Sequence, residues 1–366
     1  MSVRGRSLLS SRSLWGLCGS LLFSLACATA SSVSSPAATT AATTAATPPG
    51  SLPATPSPPA LSSAKPTDGE SAAASPHKHG QRGLSFVVRD GTSGAPIDSE
   101  ALQQRLARAR AIYVGEHHND ALSHRAQLFV LAQVYRLPDD GHDVAVGLEM
   151  LPRRLQPQLD AYLAGSIDEQ GFLAAVDWSR TWGFDFSLYR PLFDFCRTHG
   201  LRMYALNAPR DLPRAVRQRG LGGLTPAEQA LLPSDNPWPM PEPHRRFVRS
   251  IFDQHPADPK ADPALREAAF ERFYAAQLIW DESMAQAVAD ILRPGPENPR
   301  PPRRLIVLAG VGHVGPYAMP ARAQRRGVST ALTFAPQVDE KEAPPPVADP
   351  EHTDLTILLP AHHAPS

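Results

Sequence analysis

Seven short apolar runs alternate with longer segments of helical periodicity along most of this 366-residue chain. The runs lie at 85–88, 111–114, 144–148, 201–206, 305–309, 328–334 and 355–359. Several of them are apolar throughout, which is typical of strands that are covered on both faces. The alternation predicts a single α/β domain, residues 83–360, with a central and mostly parallel sheet flanked by helices.

The segments between the runs have the periodicity and the capping residues of helices. Helices are predicted at 98–110, 120–136, 153–164, 168–176, 187–199, 244–255 and 262–292. No repeat period appears along the chain, which excludes a solenoid.

The first 27 residues have the pattern of an export signal. Three arginines within the first twelve residues precede an uncharged apolar stretch, which is too short to be interpreted first as a spanning helix. Leu25-Ala26-Cys27 resembles the lipobox of bacterial lipoproteins, and it predicts an exported cell-envelope protein anchored to a membrane through lipidated Cys27. Ordinary cleavage near residues 28–30 is the alternative.

Residues 28–82 contain mainly Ala, Thr, Ser and Pro and no aromatic residue. Such a segment buries too little apolar surface to offset the entropy of ordering, so it is predicted to be a disordered linker between the anchor and the domain. Residues 361–366 are a short tail without an assigned role.

The composition excludes several classes of function. Lys and Arg number 36, and so do Asp and Glu, so the net charge is zero, which argues against nucleic acid as a partner. Three cysteines cannot make a disulfide framework. A Gly-x-Ser-x-Gly elbow and a phosphate-binding Gly-Lys-Ser/Thr loop are both missing from the sequence, which removes the common serine hydrolases and nucleotide hydrolases.

Polar clusters directly follow four of the seven runs. They are Gly115-Glu116-His117-His118, then Glu149, then Asn207-Ala208-Pro209-Arg210, and finally Gly310-Val311-Gly312-His313. Ligands of open α/β sheets bind outside the carboxyl ends of the strands, so we expect these clusters to share one cleft if the four strands are parallel neighbours. Histidine with Glu or Asp is also a common ligand set for divalent metals.

The long helix at 262–292 carries two adjacent acids. The spacing places Asp281 on the apolar side, where an acid needs a partner, with Arg210 or His313 as candidates and a pair within the helix as the alternative. Glu282 is expected to face water.

Six segments in this order resemble the motifs of the ChaN-like haem-binding uptake lipoproteins, within the Tiki/TraB/erythromycin-esterase superfamily. They are residues 114–119, 148–150, 189–191, 205–210, 281–285 and 310–314. The resemblance implies an α/β fold, an exported and often lipid-anchored protein, and haem binding in iron uptake. It also implies haem pairs held between two protomers, and hence a homodimer on haem binding, with tyrosine as the iron ligand.

The aromatic stretch before Tyr189 suits a porphyrin face. Tyr189 or a histidine is therefore predicted as the axial ligand, and Asn207 and Arg210 as further cofactor-binding residues.

The wider superfamily implies a second hypothesis, a divalent-metal-dependent hydrolase. In that interpretation His118, His313, Glu116 and Glu149 are the metal-binding residues. Glu116 or Glu149 acts as the general base, and Arg210 stabilises developing negative charge.

Overall fold

The computed structural model of the chain describes residues 86–138, 143–233, 242–253, 262–296, 298–338 and 353–360. The signal peptide with Cys27, the linker at 28–82 and the tail at 361–366 lie outside these residues, so those assignments stay predictions. None of the described helices has both the length and the apolar character needed to cross a bilayer.

The described residues form seven strands, each of which overlaps one of the seven apolar runs. They are β1 Val87–Asp90, β2 Ala111–Glu116, β3 Val144–Pro152, β4 Arg202–Asn207, β5 Arg304–Gly310, β6 Ala331–Val338 and β7 Leu355–Leu359. Their order in the sheet is β1-β7-β6-β2-β5-β3-β4. Every neighbouring pair is parallel except β1 and β7, which confirms the predicted mostly parallel sheet.

Twelve α-helices connect or follow the strands in the part of the chain that is described. They are α1 Ser99–Arg108, α2 Ala121–Tyr135, α3 Gln156–Leu163, α4 Glu169–Ala175, α5 Trp178–Thr181, α6 Phe186–His199, α7 Asp211–Arg219, α8 Pro226–Gln229, α9 Glu242–Asp253, α10 Pro263–Leu292, α11 Val311–Val314 and α12 Met319–Arg325. Aspartate side chains cap several N-termini, for example Asp120 at α2 and Asp262 at α10.

The two faces of the sheet are covered by different helices. Ile112, Val114 and Leu308 pack in the core that includes residues of α1, α2 and α6. The alternate positions, such as Tyr113 and Val307, pack with residues of α10 and α12. Since successive strand residues face opposite sides, burial on both faces explains why these runs are apolar throughout.

Some backbone groups at both edges of the sheet are engaged by other parts of the chain. On β4, the Gln156 side chain accepts a hydrogen bond from the Ala205 amide at 2.7 Å and donates to the Met203 carbonyl at 2.9 Å. At the other edge, the chain just after β1 folds back so that the Ile97 amide donates to the Val88 carbonyl at 2.8 Å. These contacts protect the edge strands from pairing with another chain.

Candidate functional site

The four strands that precede the polar clusters are parallel neighbours in the order β2-β5-β3-β4. Their carboxyl ends therefore lie along one edge of the sheet, and Glu116 of β2 is paired in register with Gly310 of β5. The structure thus confirms the adjacency on which the predicted shared cleft depends.

Glu116 is the centre of the first polar group. Its side chain is fully buried, with Oε1 2.7 Å from His118 Nδ1 and Oε2 2.7 Å from His124 Nδ1. The Tyr189 hydroxyl donates a third hydrogen bond to Oε1 at 3.0 Å. A buried carboxylate is stable only with such partners, because removing it from water is costly.

Tyr189 lies in the core rather than in an open cleft. Its ring is completely buried, and its hydroxyl accepts a hydrogen bond from Trp182 Nε1 at 2.7 Å. Burial and the charge of Glu116 both raise the pKa of Tyr189, which opposes formation of a tyrosinate. Its role as iron ligand stays a prediction, and in this structure it positions Glu116.

His118 projects from the end of β2 over the end of β5. A Cβ built on Gly310 would lie 2.7 Å from His118 Cε1 and 3.1 Å from Nε2, so this position requires glycine. The ring packs against Trp182 and Phe184 at centroid distances of 4.7 and 4.9 Å. Because Glu116 holds Nδ1, the nitrogen left for a ligand or a proton is Nε2.

His313 is the centre of the second polar group. Its Nδ1 lies 2.7 Å from Asp281 Oδ1, and its Nε2 lies 3.3 Å from Glu149 Oε1. The second oxygen of Glu149 accepts a hydrogen bond from the Gly310 amide at 2.6 Å. Of the partners proposed for Asp281, His313 is therefore confirmed.

Charges within and between the two polar groups shift the pKa values of their members. Burial alone would lower the pKa of His313, but the charges of Glu149 and Asp281 raise it to about 10. Burial would raise the pKa of Glu116, yet the hydrogen bonds with His118 and His124 lower it to about 2. Burial opposes protonation of His118 too, but Glu116 and Glu149 raise its pKa. At neutral pH the edge therefore holds protonated His313 between two carboxylates, close to the pair of Glu116 and His118.

The expectation that Glu282 faces water is wrong. Its side chain is fully buried, with Oε2 2.7 Å from Arg326 Nη2 and Oε1 3.6 Å from Arg322 Nη1. Helix α12 supplies Arg322 and is followed directly by Arg326, and it covers the part of α10 that the periodicity left exposed.

Asn207 and Arg210 lie at the end of β4. The Asn207 amide donates to the Glu149 carbonyl at 2.9 Å, while its oxygen accepts a hydrogen bond from the Ala208 amide. Arg210 immediately precedes α7, and its side chain is exposed. Contacts of either residue with a cofactor or an anion stay predictions.

The predicted metal ligands come together in pairs. Glu116 contacts His118, and Glu149 contacts His313. Within the described residues, no group of three or more His, Cys, Asp or Glu side chains is arranged to hold a metal ion. The structure thus supports acid and base pairs at these positions, and the metal site stays a prediction.

An apolar cavity of about 320 Å³ lies beside this edge and was not anticipated from the sequence. Its lining includes Phe247 from α9, Pro336 from β6, and Pro316 and Tyr317 from the turn between α11 and α12. Tyr317 is half-buried. His244 of α9 also lines the cavity and is buried.

Sequence signals for these residues were present but weak. Tyr317 comes four residues after His313, in a turn that begins at Gly315-Pro316, and His244 is a buried position near the start of an amphipathic helix.

The family model described as "Haem-binding uptake, Tiki superfamily, ChaN" matches residues 102–322, more than half of the chain. The chain belongs to the ChaN family. Both Gly-x-x-His segments, Tyr189 and Tyr317 fall within the matched residues.

A solved structure of the same family has a similar fold. The chain is similar to ChaN of Campylobacter jejuni, described as showing cofacial haem binding, with a TM-score of 0.56, 17% identity, and coverage of 74% of this chain and 96% of the other. A mutant of the erythromycin esterase EreC in its open conformation is more distant, with a TM-score of 0.41, 14% identity, and coverage of 69% and 77%.

A curated relative is the Arabidopsis thaliana protein RETICULATA-RELATED 5, chloroplastic, which is 23% identical over 273 residues. The match covers 69% of this chain and 35% of the relative. The chain therefore spans about a third of the length of that relative.

The raised pKa of His313 predicts a loss of stability in alkaline solution. A group whose pKa is higher in the folded state stabilises the fold fully below its ordinary pKa of 6.5 and loses that contribution as the pH rises to about 10. We expect the free energy of unfolding to fall by about 3–4 kcal/mol between pH 7 and pH 10. Urea unfolding at a series of pH values measures this.

The variant His313→Gln is expected to be less stable at pH 7 and to lack most of this dependence on pH. His199→Gln, which changes an exposed histidine, is the matched control and keeps the wild-type slope. Equal slopes for wild type and His313→Gln would contradict the prediction.

Proposed function

We propose that this chain is an exported haem-binding protein of the bacterial cell envelope, active in haem or iron uptake, and that haem occupies the cavity lined by Tyr317 and α9. The family assignment over residues 102–322 is the observation that carries the proposal. We place the haem in this cavity because the cavity is apolar and lies beside the polar edge of the sheet.

The residues that line the cavity suit a tetrapyrrole. Porphyrin faces need apolar and aromatic walls, and Phe247, Pro316 and Pro336 supply them. Bound haem would supply a ferric iron, for which a tyrosine oxygen is a suitable ligand. Tyr317 lines the cavity and is half-buried, whereas the Tyr189 hydroxyl is already held by Trp182 and Glu116.

The size of the cavity bears on the proposed homodimer. About 320 Å³ is at the small end of ligand sites, so the cavity would enclose part of a porphyrin and leave the rest exposed. A second copy of the chain with its own haem would cover that exposed part. The description of cofacial haem binding for ChaN of Campylobacter jejuni supports this arrangement.

Export and anchoring complete the proposal. The basic and apolar start of the chain, Cys27, and the Ala/Thr/Ser/Pro-rich residues 28–82 have the composition of a lipidated tether. Such a tether would hold the haem-binding domain at a membrane surface.

A second candidate function is hydrolysis at the polar edge. The observation that favours it is the pair of histidines, each held by a buried carboxylate, that face Glu149 and Gly310 from two sides. In its neutral form, His118 can take a proton from water at Nε2 while Glu116 stabilises the imidazolium that results, and protonated His313 can stabilise negative charge. In the metal-dependent version of this function, the same histidines and Glu149 would bind the ion.

Haem binding is tested first by the change Tyr317→Phe. We expect the full-length wild-type chain to develop a Soret band with hemin, and Tyr317→Phe to lose the tyrosinate spectrum and at least tenfold in affinity. Tyr189→Phe is the matched control and should keep the band. Loss of the spectrum in Tyr189→Phe alone would move the ligand to Tyr189, and no band in wild type would reject haem binding.

Anchoring is tested by the change Cys27→Ser in a bacterial host. The wild-type chain should be recovered with membranes and carry an acyl mass at its mature N-terminus. The variant should lose both. Wild-type protein that is cleaved near residue 30 and released without lipid would favour the ordinary signal peptide.

Hydrolysis is tested by the change His118→Ala with an ester substrate such as p-nitrophenyl acetate. Loss of the general base should reduce kcat/KM by about a hundredfold or more. The neighbouring change His117→Ala is the control and should retain activity. Metal analysis of the purified chain, with hydrolysis assays before and after chelation, shows whether the activity depends on a bound metal. Equal rates for wild type and His118→Ala would reject this function.

A further inference from the structure

Helix α9 forms one wall of the cavity and is attached to the rest of the domain mainly through α10. Its apolar side packs on α10 through a small cluster that is separate from the two main cores, and Val248, Phe270 and Tyr274 belong to it. Phe247, on the cavity side, is 39% exposed. The helix therefore has a smaller apolar contact than the helices that cover the sheet.

The outer contacts of α9 are ion pairs at the surface. Arg245 pairs with Glu271, Arg249 with Glu267, and Asp253 with Arg266, and these side chains are between 30% and 50% exposed. Exposed pairs of this kind contribute little to stability and can re-form after small shifts. These pairs therefore add little resistance to a small shift of α9 relative to α10.

A buried polar gap lies between α9 and α10. His244 Nε2 and Asp281 Oδ2 face each other at 3.9 Å, which is too long for a hydrogen bond. Both atoms are buried, and neither has a hydrogen-bond partner within 3.5 Å among the described residues, although Arg322 Nε also lies 3.9 Å from Asp281 Oδ2. On its other side, His244 Nδ1 lies 3.3 Å from the Tyr274 hydroxyl.

An inward shift of α9 by about 1 Å would close this gap to a normal hydrogen-bond length. That shift would also bring Phe247 over the cavity, because His244 and Phe247 are three residues apart and line the same space. The other oxygen of Asp281, Oδ1, already lies 2.7 Å from His313 Nδ1 and needs no such shift.

We propose that α9 is a movable wall of the cavity, and that a planar tetrapyrrole bound there draws it inward and completes a His244 to Asp281 hydrogen bond. This inference rests on the proposed haem site. His244 acts as a positioning residue, since it holds the helix that covers the ligand. Because Asp281 also holds His313, closure links the cavity to the polar edge of the sheet.

The test is hydrogen exchange of the full-length chain with and without hemin, together with the rate of haem transfer to apomyoglobin. In wild type, hemin should slow exchange of the amides of residues 247–253 by at least about tenfold. His244→Ala should release haem about tenfold faster, the effect of one lost charge-assisted hydrogen bond. His244→Gln retains a donor near Nε2 and should release haem at nearly the wild-type rate.

Ser250→Ala, an exposed change on the same helix, is the matched control and should behave as wild type. A normal Soret band with unchanged exchange in α9 would overturn the movable wall and leave haem binding intact. Equal release rates for His244→Ala and wild type would also overturn it. A wild-type chain without a Soret band would reject the haem site itself, and the closure with it.

Discussion

The polar edge of the sheet depends on the close approach of His118 to β5, which only a glycine at position 310 permits. That approach brings two carboxylate and histidine pairs within reach of each other in a region where the carboxylates and His313 are buried. Breaking one partner of such a buried pair typically costs about 3–5 kcal/mol. The order β2-β5-β3 places the two pairs side by side. Without that adjacency the two pairs could not lie together at one edge of the sheet.

The sequence predicted the sheet well because burial on both faces leaves an unambiguous pattern in it. All seven apolar runs overlap strands, and the polar clusters after four of them lie at one edge. The strand order was not predictable in the same way. Strand β5 lies between β2 and β3, although almost two hundred residues separate β2 from β5 along the chain. The sequence alone does not predict this adjacency, which is the condition for a shared cleft.

Individual side chains were harder to predict where a second helix decides their surroundings. Periodicity placed Glu282 toward water, but α12 covers that side of α10 and its arginines pair with the acid. The aromatic stretch around Tyr189 suggested a porphyrin face, whereas its rings form core contacts and a hydrogen-bonded support for Glu116. His124, His244 and Tyr317 were missed because periodicity predicts which face of a helix is buried but does not indicate which single residue on that face, or in a turn, has a role.

Capping of the sheet edges restricts how two copies of the domain could meet. Gln156 occupies backbone groups of β4, and the chain after β1 folds back on that strand. Dimerisation by joining two sheets into one continuous sheet would have to displace these contacts first. Association through side chains around the mouth of the cavity would leave these edge contacts intact. If two copies associate, ligands enclosed between their cavities could therefore join them without any backbone pairing.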